Sequence, residues 1–402
     1  MVRRGEDEKH LPSRPTMPCK EETLLDLLEV AISMEIDDIA FDIIEELHDI
    51  IDKRKPWWQK ESDVDLSVKN PREELRPEQY KDIFVLTSDE MDEAAAALKL
   101  PQLMKTDNGI KFSGVRGLEV VVARLRERDA LKSLMTLFGG ESTRLSRIFN
   151  TTVTWLSDEW SCKLLKRLSP FKHRFNTYSE AFQRKGEEHI EKCQKRVHMY
   201  PPHVIGVIDG SEVQIMKPDD EEIQVGVYSG YKKQSSIKFH HIIAPDGLIM
   251  HMSDVYGGPT NDITIYQQSM IDEELDDIEE SEGMQCTYLI LGDPAYSTGG
   301  HLISGYKHYE SMPLTVPQSH FNNTLSITRQ CVEWNFGTLK YIFFPLLNTH
   351  ARLKLGQQNL SGILHVASVL SNVFTCIKGA SQASEYFDVQ VPTLTEYLSF
   401  FD

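Results

Sequence analysis

Three carboxylates in this sequence stand where hard-cation chemistry could be built. Asp209 closes the apolar run Val204-Ile205-Gly206-Val207-Ile208, and Asp293 closes Tyr288-Leu289-Ile290-Leu291-Gly292. Glu333 lies in a helix-like stretch from Ser326 to Phe344. Mg2+ prefers carboxylate oxygens and keeps several waters, so three acids suffice without a histidine. Two such ions about 3.5–4 Å apart can activate a water or a DNA 3′-hydroxyl and stabilise the leaving oxygen. Clustered acids repel one another unless a cation neutralises them, which is why such clusters mark metal sites. Lys232, Lys233, Lys238, Arg329 and Lys340 are the nearby cations suited to holding phosphates. Gly210 and Gly292 beside the acids let backbone or substrate approach closely. Each acid also has a plainer reading. Asp209-Gly210 fits a turn, Asp293-Pro294 fits strand-to-loop punctuation, and Glu333 four residues after Arg329 fits a surface ion pair. Asp262, after Pro259-Thr260-Asn261, has the look of a helix N-cap. His240 and His241 alternate across a strand, so they cannot both face one ion.

The elements that must position these residues follow from periodicity. Short β-type runs cover Val204–Ile208, Ser235–Ile243, Leu248–Ser253 and Tyr288–Leu291, and Pro245-Asp246-Gly247 makes a tight turn joining the second and third as a hairpin. Helical patterns cover Asn261–Ile278, the Glu333 stretch and Gly356–Gly379. Strand with Asp, antiparallel hairpin, helix, strand with Asp, helix with Glu: that order describes a ribonuclease-H-like α/β domain. Before it the chain is mostly helical. Residues 1–20 read as a disordered tail, 21–110 as an acidic helical region and linker, 111–200 as a helical segment, 201–380 as the nuclease domain, and 381–402 as a C-terminal tail. Ser88-Asp89-Glu90 is expected to cap a helix through Ala94–Leu98. Helical pieces at Leu118–Arg128, Ala130–Phe138 and Ser142–Leu156, broken at Gly139-Gly140, are compatible with a helix-turn-helix or with plain helical packing. Lys163–Arg196 reads as a basic helix whose Phe171, Phe175, Tyr178 and Phe182 belong to the core.

The chain has 402 residues and a net charge of −18, which by itself argues against nucleic acid. Its distribution argues otherwise. Residues 1–100 hold 26 acids against 14 bases, whereas residues 161–200 hold 10 bases against 4 acids. The acidic block at 272–282 reads as a solvated excursion. No apolar run approaches the roughly 20 residues of a membrane span, and the polar start is unlike a signal peptide. Six cysteines without a CxxC pair make a disulfide framework or structural zinc unexpected. The expectation is a soluble, intracellular protein with no membrane contact.

The residues resemble a known family, the Harbinger-type DDE transposases and their domesticated nuclease relatives. The blocks are Val207-Ile208-Asp209-Gly210-Ser211, Tyr228 to Lys233, Ile237-Lys238-Phe239 with Ala244 to Ile249, and Gly257-Gly258-Pro259-Thr260-Asn261-Asp262. They continue with Leu291-Gly292-Asp293-Pro294-Ala295-Tyr296, Asn322 to Arg329, and Val332-Glu333-Trp334-Asn335-Phe336-Gly337. Tyr231 and Pro294-Ala295 depart from the common pattern. The resemblance implies a ribonuclease-H-like fold, Mg2+ or Mn2+ as a pair of ions, and DNA cleavage and joining by a triad of Asp209, Asp293 and Glu333. Asp262 is a fourth acid in a family block, either a metal ligand or a cap. A separate Myb-like DNA-binding partner, a homo-oligomer and a nuclear location are further implications. The alternative is a catalytically silent host protein that binds DNA or a partner through its helical half.

Overall fold

The computed structural model describes residues 69–401 apart from 127–129, 194–200, 231, 284–285, 309–312, 349–352 and 356–358. The tail expected at 1–20 and the helices expected at 21–53 lie outside the described residues. The first helices are α1 (Pro71–Glu74), α2 (Pro77–Phe84) and α3 (Ser88–Ala97), followed by a small hairpin of β1 (Met104–Lys105) and β2 (Lys111–Phe112). Then come α4 (Gly114–Arg126), α5 (Ala130–Phe138) and α6 (Ser142–Leu156), as the periodicity predicts. The α3 cap sits one residue earlier than expected: Thr87 is the N-cap, paired with Glu90 in a capping box.

The basic stretch is not one helix. A π-turn (Ser157–Ser161) leads to α7 (Cys162–Leu165), a 3-10 turn (Ser169–Arg174) and α8 (Phe175–Cys193). Pro170 lacks the N–H that a continuous helix needs, so the break falls there. Phe171, Phe175, Tyr178 and Phe182 are buried, as their core assignment requires.

The second half contains β3 (Val204–Gln214), α9 (Glu221–Val227), β4 (Tyr228–Ser229), β5 (Gln234–Ile243), β6 (Ile249–Met252) and β7 (Tyr256–Gly257). It continues with α10 (Asp262–Gln268), α11 (Ile271–Glu282), β8 (Leu289–Gly292), β9 (Leu302–Ser304), α12 (Val316–Asn348) and α13 (Leu360–Lys378). Two short helices, α14 (Gln382–Phe387) and α15 (Leu394–Ser399), occupy the segment expected to be a tail. They bury Phe387 and Tyr397 and so belong to the packed structure.

The fold is mixed α/β around one mixed sheet in the order β4-β5-β3-β8-β9, with β6 and β7 also paired to β5. β5 and β6 form the antiparallel hairpin expected from Pro245-Asp246-Gly247. β8 runs parallel to β3, and β9 parallel to β8. β3 outruns its apolar start. Asp209 does not end a strand; it lies inside an eleven-residue one, because β5 continues to pair with Ser211 through Gln214 after β8 has stopped.

α12 packs on β3, β5 and β8, and α13 packs on β6, α3, α6 and α12. Leu360–Lys378 is, contrary to the sequence expectation, long and apolar enough to cross a membrane. Most of it is buried within the protein, and Asn372 finds partners there. Asn372 accepts from the Ile249 N–H at 2.8 Å and donates to the Ile249 carbonyl at 2.8 Å. These contacts identify α13 as the central core helix of this structure.

Candidate active site

Register brings the two aspartates together. Val207 pairs with Leu291 across the parallel β3–β8 ladder, so Asp209 and Asp293, each two residues further on, lie at the same level. Asp209 also pairs with His241 of β5, and paired residues point to one face of a sheet. The His241 ring stacks on Phe336 of α12 with centroids 5.1 Å apart. Arg329, Glu333 and Phe336 recur at i, i+4 and i+7, one side of α12. The helix therefore presents Arg329 and Glu333 to the same end of the sheet.

Electrostatics confirm the proximity. Burial pushes the Asp209 carboxyl up to about 6; Arg329 opposes this, and the charges of Asp293 and Glu333 add to it. Arg329 Nη2 lies 3.4 Å from Asp209 Oδ2, so Arg329 pairs with this acid and not with Glu333. Asp209 Oδ1 accepts the Gly210 N–H at 2.9 Å. Asp293 Oδ1 accepts the Ala295 N–H at 2.9 Å. Glu333 is exposed. The three acids do not close into a tight cage. Among the described residues, the group of three whose ligand atoms all lie within 4.8 Å of one another is Asp276, Glu279 and His301. In that group His301 already donates to the Tyr288 carbonyl at 2.8 Å, and Glu279 accepts the Tyr288 N–H at 2.5 Å.

Asp262 takes a different position. It is the first residue of α10, and Asn261 is the N-cap, so the cap expected at Asp262 falls one residue earlier. Its Oδ1 lies 3.1 Å from His240 Nε2 and 3.3 Å from Lys238 Nζ. Burial works against its charge, but the hydrogen bond from His240 and the charge of Lys238 hold its carboxyl below the usual range. His240 and His241 do face opposite ways: His241 Nε2 lies 3.0 Å from Ser368 Oγ of α13. Burial lowers the His240 pKa, more strongly than Asp262 raises it.

The glycines serve the protein and not a substrate. A Cβ on Gly210 would lie 2.8 Å from Asp262 Oδ1, and one on Gly292 would lie 3.1 Å from the Tyr296 ring. Tyr296, buried, had no role in the sequence reading, and His240 was weighed there only as one of two histidines that cannot share an ion. The signal was available in Gly292 followed four residues later by an aromatic.

Of the expected phosphate contacts, Lys233 is exposed, and Lys232 is exposed and 3.2 Å from Glu212. Lys238 is committed to Asp262 and to the Thr260 carbonyl at 3.3 Å. The side chain of Lys340 falls outside the described residues. Much of the basic stretch is also spoken for. Lys166 pairs with Asp254, Arg174 pairs with Asp246, and Arg184 donates to the Phe387 and Asp388 carbonyls.

The acidic block is solvated on one side only, with Glu273, Asp276, Asp277, Glu280 and Glu282 exposed. Asp272 accepts from Tyr266 Oη and the His301 N–H, and Glu274 accepts from the Leu168 and Ser169 N–H groups. These contacts tie α11 to the 3-10 turn and to the β8–β9 loop.

Residues 208–372 match the family model described as DDE superfamily endonuclease. No curated protein and no solved structure matches the chain.

Proposed function

Because residues 208–372 belong to the DDE superfamily endonucleases, we propose that this chain is a divalent-metal-dependent DNA endonuclease of transposase type. In this reading the α/β half is a ribonuclease-H-like domain, and Asp209, Asp293 and Glu333 are its catalytic triad for strand cleavage and strand transfer. The parallel register that sets Asp209 beside Asp293, under the α12 face that bears Glu333, carries the proposal.

The donor set fits a hard dication. It offers carboxylate oxygens alone, and Asp209 is raised first by burial and then by the charges of Asp293 and Glu333, all of which a bound cation would offset. Arg329 supplies part of that charge, while its buried Nε has no partner. Mg2+ or Mn2+, as two ions, would supply Lewis acidity at the scissile phosphate and lower the pKa of an attacking water. Asp209 would hold metal from within β3, Asp293 from the end of β8 and Glu333 from the helix. Lys232 and Lys233, before β5, would take DNA phosphates, and Arg329 would join them on leaving Asp209.

The helical half would position DNA. α5, the glycine turn and α6 have helix-turn-helix order, and α6 is free of acids from Ser142 to Leu156. Arg147, Asn150 and Thr151 of α6 line an open concavity of about 400 Å³ together with Thr106, Asp107 and Asn108. Arg and Asn are the side chains that read guanine and adenine edges bidentately. A nuclear location follows from such a substrate, with a Myb-like partner or a second copy of the chain assisting recognition.

The Arg329–Asp209 ion pair favours one competing reading, a retained but silent DNA-binding protein in which arginine has replaced metal. Mn2+ calorimetry on wild type and on folded Asp209→Asn, Asp293→Asn and Glu333→Gln separates the two. Binding lost in all three variants supports the triad. A wild type that binds no Mn2+ at millimolar concentration with DNA present leaves the silent reading.

A further inference from the structure

Asp262 was open to two roles, metal ligand or cap, and its surroundings suggest a third. Tyr296 Oη lies 3.2 Å from His240 Nδ1, and His240 Nε2 lies 3.1 Å from Asp262 Oδ1. A carboxylate only accepts, so His240 donates to Asp262 from Nε2, and in the neutral ring Nδ1 accepts the tyrosine proton. Tyr296 and His240 are both buried. Asp262 is further matched by Lys238, so every member of the chain is satisfied.

The relay touches both chain segments that carry the aspartates. His240 pairs with Gly210, the residue after Asp209, and Asp262 Oδ1 fills the space that a side chain at Gly210 would take. Tyr296 lies over Gly292, and its N–H donates to the Asp293 carbonyl at 3.1 Å, closing the turn Asp293-Pro294-Ala295-Tyr296. That turn is a loop, and loops position ligands less precisely than strands unless something anchors them.

We propose that Asp262, His240 and Tyr296 form a buried positioning relay that fixes the turn carrying Asp293, and that Asp262 acts through this relay and not as a ligand of the metal. The proposal rests on the triad reading above. It makes Tyr296 and Asp262 positioning residues whose loss loosens Asp293 without removing any ligand. Partners of this kind affect metal affinity by about 10–100-fold when removed.

The test is Mn2+ calorimetry on the full chain with Tyr296→Phe, which deletes one hydroxyl, and Asp262→Asn, which keeps the side-chain volume. Each is measured with melting temperature recorded. The relay predicts about tenfold weaker Mn2+ binding in both variants. Weakening in Asp262→Asn alone, with Tyr296→Phe at wild-type affinity, would make Asp262 a direct ligand and overturn the relay. Lower melting temperature with unchanged affinity in both would reduce the network to fold support and also overturn it. A wild type that binds Mn2+, loses it in Asp209→Asn and ignores both relay variants removes the relay alone. Binding indifferent to Asp209→Asn removes the triad and the relay together.

Discussion

Neutralising Asp209 should change how stability depends on pH, by an amount the site itself sets. Its carboxyl ionises near 3.8 in an unfolded chain and at about 6 in the folded protein, because burial, Asp293 and Glu333 outweigh Arg329. Between those values the native state holds a proton that the unfolded state has released. Charging Asp209 therefore costs the fold nothing below pH 3.8, increasingly more up to pH 6, and a constant amount above. The full displacement corresponds to about 3 kcal/mol, of which about 1.5 kcal/mol falls between pH 5 and pH 8. Only 22% of the side chain is exposed, so solvent screens little of this. Urea unfolding of wild type and Asp209→Asn in chelator, from pH 5 to pH 8, measures it. The variant should gain about 1.5 kcal/mol on wild type across that range, nearly all of it by pH 7. Leaving Arg329 unpaired adds an offset that does not vary with pH and drops out of the comparison. Saturating Mn2+ should remove the slope in wild type. A stability difference flat with pH would refute the crowded, buried carboxylate on which this reasoning depends.

Three further outcomes follow from the same structure. Burial first, and neighbouring positive groups second, lower the pKa of His241 and His251 to about 3, while burial lowers that of His365 to about 4. Depressed histidines stabilise the fold above pH 6.5 and lose that contribution as the unfolded chain charges below it, by up to about 1.4 kcal/mol per pH unit for each ring. Circular dichroism should show steep acid unfolding below pH 6, and an acid-stable fold would contradict this. Arg329→Gln should tighten Mn2+ binding, since it removes the cation that already occupies Asp209, and should weaken DNA binding; weaker metal binding would make Arg329 an aid to the site and not a competitor. Asn372→Leu should cost about 2–4 kcal/mol in denaturant unfolding, because it strands the buried Ile249 N–H, the Ile249 carbonyl and Tyr397 Oη.

Local patterns carried the α/β half into view. Alternating and continuous apolar runs located β3, β5, β6 and β8, and Pro245-Asp246-Gly247 joined two of them correctly. Asp209 and Asp293 were legible as neighbours because each follows an apolar run, and those two runs pair side by side in parallel. Features that depend on long-range partners were not. The full length of β3 is set by β5, and Pro170's interruption of the basic stretch was hidden by its continuous charge. The acids at 272–282 looked solvated because their partners, backbone N–H groups at Leu168, Ser169, Tyr288 and His301, have no side-chain signature. Arg329 was four residues from Glu333 and nearer still in space to Asp209, a preference no spacing rule contains. The relay from Tyr296 to Asp262 spans three separate segments, and its trace in the sequence is the pair of glycines that make room for it.

Cleavage of an end-labelled DNA duplex, with Mg2+ and with chelator, on wild type and folded Asp209→Asn, Asp293→Asn and Glu333→Gln, tests the central claim most directly. The account predicts metal-dependent strand cleavage in wild type and at least a roughly hundredfold loss in each variant, as expected when a metal-holding carboxylate is removed. Undiminished metal-dependent cleavage by any one of the three folded variants would contradict it.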